Sequence, residues 1–280
     1  MSSVGPSQDA NAPSGGISWP AQAIRAAVVS SLPDFTVEVL PEIDSTNTEL
    51  MRRARAGQMA PVLLLAEQQT AGRGRLGRDW QSQRGESLTF SLGLPLAPAD
   101  WSGLSLAVGI SVAESLHPDI RLKWPNDLWL SDARGERKLA GILIETASFG
   151  ELRYVVIGVG LNIRPQGGAG LATPPGWLQE LLPGVDAPQA LARVAALLVQ
   201  AVRAFEALGF APFQARFNAR DVLRDREVSV SDGQGGVTRG SAHGVTDTGA
   251  LLVHTKAGMQ QITSSEVSVR PLPGRADPSA

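Results

Sequence analysis

The chain has no cysteine, which removes disulfides, thiol nucleophiles and Cys-ligated zinc from consideration. Histidine is nearly as rare: the three in 280 residues, His117, His243 and His254, sit far from the most basic stretch, and a His-based metalloenzyme is not expected. Lysine is scarce as well. Of 25 Lys and Arg residues only Lys123, Lys138 and Lys256 are lysine, so ordinary basic positions are filled by arginine, and a lysine kept beside Arg137 hints that a compact ammonium is wanted there. No run approaches the roughly 18 uncharged apolar residues of a membrane span, and no charged-then-apolar leader opens the sequence. A soluble cytoplasmic protein is expected. Excess charge is missing too: a net charge of -2 and a pI near 6.0 argue against a general nucleic-acid or anionic-membrane surface. Any anion site must be local.

Such a site is visible in Gly72-Arg73-Gly74-Arg75-Leu76-Gly77-Arg78-Asp79-Trp80, directly after the apolar run Val62 to Ala66. Glycine lets backbone N–H groups approach a ligand, and each guanidinium offers a planar fork of donors that matches carboxylate or phosphate oxygens. Two other readings are weaker. The spacing Gly72-x-Gly74-x-x-Gly77 fits the dinucleotide fingerprint, but that motif needs an apolar helix at its last glycine, and the residues that follow, Arg78 to Gly85, are too polar. A disordered Arg/Gly segment that sticks to nucleic acid predicts low-complexity flanks, whereas Pro61 to Ala66 and Ser87 to Leu94 are strand-like.

With 43% apolar residues in 280, the chain can fill one large domain and a small one. Residues 1–19 have the composition of a disordered tail. Residues 20–222 read as one α+β domain with a mixed, mostly antiparallel sheet: helices over Pro20 to Ser31, Thr48 to Ala56, Leu104 to Leu116, Trp177 to Leu181 and Pro188 to Leu208, and strands over Phe35 to Leu40, 62–66, 87–94, Arg121 to Trp124, Leu139 to Glu145 and Leu152 to Asn162. Over 223–272 the texture becomes short strands divided by Gly-rich turns, predicting a small β-barrel, with 273–280 a second tail. No internal repeat is present.

Four motifs stand in order: Asp44-Ser45-Thr46-Asn47; Gln68-Gln69 with the basic loop; Lys123-Trp124-Pro125-Asn126-Asp127; and Lys138-Leu139-Ala140-Gly141-Ile142-Leu143-Ile144-Glu145 with Gly158-Val159-Gly160-Leu161-Asn162. Together they resemble the biotin protein ligases over residues 44 to 162, and the C-terminal strand pattern is similar as well. The resemblance implies an ATP-dependent enzyme, biotin-[acetyl-CoA-carboxylase] ligase, that makes biotinyl-5'-AMP and passes biotin to a lysine of a biotin carboxyl carrier protein. Lipoate or octanoate transfer on a related fold is the alternative.

Biotin has a cyclic urea that needs both donors and acceptors when buried, an apolar bicycle, and a tail carboxylate. The resemblance implies biotin contacts at Ser45, Thr46, Asn47, Gln69, Gly72, Arg73, Trp80, Lys138, Gly158 and Leu161, although helix capping alone would also explain Ser45 to Asn47. Biotin carboxylate and ATP phosphate are both anions, so cations must lie between them; Arg73, Arg75 and Lys138 are the catalytic candidates. A turn position is the ordinary alternative for Lys138. ATP and adenylate are expected at Arg75, Arg78, Asn126, Lys138, Asn162 and Trp177, where Trp177 is either an adenine-stacking group or a core residue at a helix start. Asp127 is the candidate Mg²⁺ ligand or, equally, a turn carboxylate. Pro165 to Gly170 resembles the family's adenylate-closing loop but lacks basic residues. Some members of the family repress transcription through an N-terminal helix-turn-helix; the 43 residues before Asp44 leave too little chain for one, so DNA binding is not expected. A homodimer built side by side through the sheet is an analogy only.

Overall fold

The computed structural model describes residues 17–165, 167, 173–231, 236–263 and 267–272. The expected tails therefore fall outside the described residues, except for 17–19, and so does most of Pro165 to Gly170. The helices are α1 (Ala21–Val28), α2 (Thr46–Arg55), α3 (Leu104–Leu116), α4 (Ala187–Leu208) and α5 (Gln214–Asn218). The strands are β1 (Thr36–Ile43), β2 (Val62–Gln69), β3 (Gly72–Arg73), β4 (Asp79–Trp80), β5 (Ser87–Pro95), β6 (Arg121–Lys123), β7 (Asp127–Asp132), β8 (Gly135–Phe149), β9 (Leu152–Asn162), β10 (Glu227–Ser231), β11 (Val237–Val245), β12 (Leu251–Thr255), β13 (Gly258–Ile262) and β14 (Ser268–Pro271).

Seven strands form the main sheet in the order β1-β2-β5-β9-β8-β7-β6. The β1–β2 pair is parallel and the other five ladders are antiparallel, as the mixed sheet expected from sequence requires. Side chains alternate across each strand, so the two faces carry different cores. Leu63, Leu65, Leu88, Phe90, Leu92, Val155, Ile157 and Leu161 join the larger core with α1, α3 and α4. Val62, Leu64, Tyr154 and Val156 pack on Leu50, Met51 and Ala54 of α2 instead.

Helix α3 is buried at almost every position. It lies between the sheet and α4, and a helix covered on two sides has no polar face to display. Helix α4 is amphipathic and starts from a reciprocal cap, in which the Asp186 side chain accepts from the Gln189 N–H at 2.8 Å and Gln189 Oε1 accepts from the Asp186 N–H at 3.2 Å. The segment Trp177 to Leu181, expected as a helix, is a single 3₁₀ turn over Leu178–Glu180. Strand β7 was not anticipated. It is one arm of a hairpin with β8 whose polar turn, Ser131 to Glu136, masks the strand ends.

The C-terminal strands pair in the order β13-β12-β11-β10-β14. A closed barrel is not shown: among the described residues no ladder joins β13 to β14, and the five strands form one antiparallel sheet. That sheet and the segment leading into it are fastened to the main-sheet half of the structure. Trp124 is fully buried and its Nε1–H donates to Gly249 O at 3.0 Å, while Leu122 N–H donates to Arg220 O and Val222 N–H to Leu122 O, both at 2.9 Å. Among the described residues no helix is long and apolar enough to cross a membrane.

Asp221 lies in that junction. Its Oδ1 accepts from the Leu223 N–H at 2.9 Å, while Oδ2 is buried with no hydrogen-bond partner. Burial pushes its carboxyl up to about 6. A carboxyl whose folded pKa is raised is penalised when ionised, so the protein loses stability as pH rises from about 4 through about 6. Asp221→Asn is therefore expected to stabilise the protein by roughly 1 kcal/mol or more at pH 8. The gain should fall to about a third of that at pH 4.5, as read by chemical denaturation at both values; equal effects at the two values would contradict this.

Candidate active site

The site lies on the α2 face of the main sheet, where the packing changes along β9. Tyr154 and Val156 fill that face near one end of the strand, and Gly158, Gly160 and Asn162 continue it. Two missing side chains leave room. A Cβ on Gly158 would sit 2.1 Å from Asn47 Oδ1, and one on Gly160 would sit 2.3 Å from Cε2 of Trp80. The glycines thus let the start of α2 and the Trp80 indole rest directly on the sheet backbone, forming the floor of a cavity of about 940 Å³.

One end of this cavity is a network of neutral polar groups. Ser45 caps α2, its Oγ accepting from the Thr48 N–H at 3.4 Å. Gln69 Oε1 accepts from the Thr46 N–H at 2.7 Å and from the Thr46 hydroxyl at 3.0 Å. The Ser91 hydroxyl donates to Asn47 Oδ1 at 2.6 Å and lies 2.7 Å from Thr46 Oγ1. Ser45, Thr46, Asn47 and Ser91 are all buried, so the groups are preorganised, with alternating donors and acceptors at the cavity edge. Asn47 Nδ2 is committed inward, to Leu143 O at 3.2 Å and Glu145 Oε2 at 2.9 Å.

The other end is cationic. Lys138 Nζ is 2.7 Å from Asp127 Oδ1 and 5.9 Å from the centre of the Trp80 ring. Arg75 Nη1 donates to Asn126 Oδ1 at 3.3 Å, and Asn126 Nδ2 donates to Ile142 O at 2.7 Å. Burial lowers the Arg75 pKa, opposed by Asp127 and assisted by Arg78. Lys123, 8% exposed, lies 5.2 Å from the Trp129 ring centre. Its pKa is also lowered, first by burial and then by the charges of Lys138, Arg78 and Arg270, with Asp127 opposing. Several cations thus crowd around one carboxylate, an arrangement that favours a polyanion. Val267 to Pro271, at β14 of the C-terminal sheet, close one wall.

Most residues singled out from sequence line this cavity: Ser45, Thr46, Asn47, Gln69, Arg73, Arg75, Arg78, Trp80, Asn126, Asp127, Lys138, Gly158 and Asn162. Three do not. Leu161 points to the opposite face and is buried in the α3/α4 core, because strand alternation puts it out of phase with Gly160 and Asn162. Gly72 lies behind the wall, where a Cβ would meet Trp80 O at 2.4 Å, so its role is to let β3 and β4 close. Trp177 stands just past the lining residues Pro174 and Pro175, its N–H donating to Glu180 Oε1 at 3.1 Å. Asn162 also supports the wall: its Nδ2 donates to Gly176 O at 3.0 Å and Lys138 O at 3.3 Å. Sequence reasoning assigned no role to Lys123, Ser91 or Arg270. The rarity of lysine could have flagged Lys123; Ser91 and Arg270 carry no local signal.

The comparisons with known proteins agree with this geometry. The model for the biotin/lipoate A/B protein ligase family matches residues 39–162, and that for the biotin protein ligase C-terminal domain matches 225–270. The bifunctional ligase/repressor BirA of Escherichia coli is 35% identical over 263 residues, covering 90% of this chain and 79% of BirA. The chain belongs to the biotin protein ligase family. A second relative within the family, the biotin--[acetyl-CoA-carboxylase] ligase of Paracoccus denitrificans, is 31% identical over 248 residues, 82% of this chain and 98% of its own length. Among solved structures, the biotin protein ligase from Aquifex aeolicus in complex with biotin and ATP superimposes with a TM-score of 0.70 at 27% identity, covering 84% of this chain and 99% of that one.

The dependence of Trp80 on Gly160 has a measurable consequence. Gly160→Ala must displace the indole, with an expected cost of about 1–3 kcal/mol for overpacking. In a Trp80→Ala background the same change should cost less than about 0.5 kcal/mol. Denaturant titration of the four proteins of this cycle gives both numbers, and equal costs in the two backgrounds would disprove the contact.

Proposed function

We propose that this protein is an ATP-dependent biotin protein ligase that activates biotin as biotinyl-5'-AMP and transfers it to a lysine of a biotin carboxyl carrier protein. One observation carries the reading: a single cavity is lined by a neutral donor–acceptor network at Thr46, Asn47 and Gln69, backed by buried Ser91, and by a cation cluster at Arg75, Lys123 and Lys138. A ligand with a urea at one end and a carboxylate at the other fits that polarity, and a cavity of about 940 Å³ is at the large end of the usual range for small ligands, roomy enough for an adenylate. The C-terminal match is to a biotin protein ligase domain, which does not favour a lipoate or octanoate ligase.

In this account the Thr46–Gln69 network receives the urea, and the Trp80 indole against Gly160 walls the bicycle. The tail carboxylate then points to Lys138 and Arg75. A carboxylate oxygen bonds to the α-phosphorus of ATP while the bond to the bridging oxygen of pyrophosphate breaks, and the electron pair leaves with pyrophosphate. Lys138 and Arg75 offset the repulsion of the two anions and stabilise charge gathering on the phosphoryl oxygens. Arg78 and Lys123 attract the departing pyrophosphate, and Asn126, Asn162 and Trp177 are assigned to the adenosine side.

The carrier lysine, as a free amine, next attacks the acyl carbon. The C–N bond forms, the C–O bond to AMP breaks, and the extra proton is lost to solvent. Asp127 is the side chain we assign to Mg²⁺: it is a hard oxygen donor on the cavity wall, and Mg²⁺ commonly takes one or two carboxylates with waters and substrate phosphates. The ion would neutralise phosphate charge when bound. Residues 20–222 are assigned to the catalytic unit and 223–272 to the C-terminal unit that closes its wall.

The test is pyrophosphate-dependent exchange of label into ATP with biotin, lipoate or octanoate as the acid. Exchange with biotin is expected, together with a loss of about 10²- to 10³-fold in Lys138→Ala and in Arg75→Ala at saturating substrates. Exchange with lipoate or octanoate in preference to biotin, or none with any acid, would refute the assignment.

A further inference from the structure

Among the described residues the basic loop is a two-stranded hairpin whose β3 and β4 pair with each other, Gly72 opposite Trp80 and Arg73 opposite Asp79. Just before it the Thr70 and Ala71 N–H groups donate to Ile43 O and Asp44 O, both at 2.9 Å, so backbone anchors one root of the hairpin and side chains hold the rest of it over the cavity. Trp80 rests on Gly160 and Arg75 reaches Asn126. One attachment between full charges is Arg73 to Glu145, with Nη2 donating to Oε1 at 3.1 Å, supported by Nη1 to Thr48 Oγ1 at 3.3 Å. Arg73 thus turns toward α2 and β8 and is already paired.

Glu145 has a second partner. Its Oε2 accepts from Asn47 Nδ2 at 2.9 Å, and Asn47 is 4% exposed in the neutral network at the cavity's other end. One carboxylate, 23% exposed, therefore joins the start of α2 to the loop that covers the cations. We propose that Glu145 is a positioning residue that holds the basic loop over the cavity, and that Arg73 acts chiefly as its tether while Arg75 and Lys138 face the reacting anions. This rests on the biotin ligase reading for the ligand, but its structural part stands without any ligand.

The chemistry of the two contacts makes a specific substitution informative. Both neighbours of Glu145 are donors, so a carboxylate with two acceptor oxygens satisfies both. Glu145→Gln keeps size and one acceptor but turns an NH₂ group toward a donor, so one contact must fail. The exposed guanidinium gives way more readily than the buried Asn47 amide, and the loop is released.

Trypsin reads this directly, because the loop keeps Arg75 and Arg78 in every variant tested. With no substrate present, cleavage at these sites should be about 5- to 10-fold faster in Glu145→Gln than in wild type, with cleavage elsewhere unchanged. Arg73→Ala should speed cleavage at Arg75 and Arg78 by a similar factor, and the double variant Arg73→Ala with Glu145→Gln should be cleaved no faster than either single one. In the exchange assay Glu145→Gln should raise the KM for biotin about 5-fold with kcat within twofold, and the double variant should raise it little further. Unchanged cleavage in Glu145→Gln, or an increase spread over all sites, would overturn the proposal. So would a double variant whose KM for biotin rises far beyond that of Glu145→Gln, since Arg73 would then be needed by the ligand itself. Failure of wild type to exchange with biotin would refute the ligase reading and leave the trypsin result to decide the tether.

Discussion

The site depends on the absence of two side chains. Along β9 the α2 face runs from Tyr154 and Val156 to Gly158 and Gly160, and where the side chains stop, the buried layer stops too. Asn47 and Trp80 occupy the space, with Asn47 Oδ1 and the Trp80 ring where a Cβ would have to stand. The same period-two alternation that builds two cores on the two sheet faces thus opens a cavity on one of them. The floor is sheet backbone, paired on both edges with β5 and β8, and both polar ends are built against it.

Charge is distributed with the same economy. The molecule is nearly neutral overall, with a net charge of -2, yet Arg75, Lys123 and Lys138 meet around Asp127 within one cavity, and burial lowers the pKa of Arg75 and Lys123. A cation held in a partly dry site is more effective on an anion than one on the surface. Other arginines are spent on structure: Arg137 and Arg134 share Asp132 and Glu180, which ties the β7–β8 turn to the Trp177 segment, and hydrogen bonds from both hold the Asp132 carboxyl well below its usual range. An arginine count alone does not separate these two uses.

Much of this was legible in sequence because local chemistry decided it. Helix α3 and strand β9 match the bounds read from their apolar patterns, since a helix buried on all sides and a strand buried on both are marked by continuous apolar runs. The basic loop announced itself through composition. What was hidden depended on partners distant in the chain. Arg73, a catalytic candidate in sequence, lines the cavity and is also paired with Glu145, 72 residues away, a partner that no local pattern shows. Leu161 stands in the Gly158 to Asn162 motif, yet alternation along the strand turns its side chain into the core shared with α3 and α4. Strand β7 hid behind Pro125 and a charged turn, and short strands divided by Gly-rich turns leave open whether the edge strands of the C-terminal sheet meet.

The claim that rests on all of these is that the cavity has a direction, neutral at Thr46 and Gln69 and cationic at Lys138 and Arg75. A crystal structure of the protein with biotin alone tests it most directly. The account predicts the ureido ring within hydrogen-bonding distance of the Thr46–Gln69 network and the carboxylate within about 4 Å of Lys138 or Arg75, a distance at which opposite charges still attract strongly. Biotin in the reverse orientation, or bound with its ring away from Trp80 and Gly160, would contradict it.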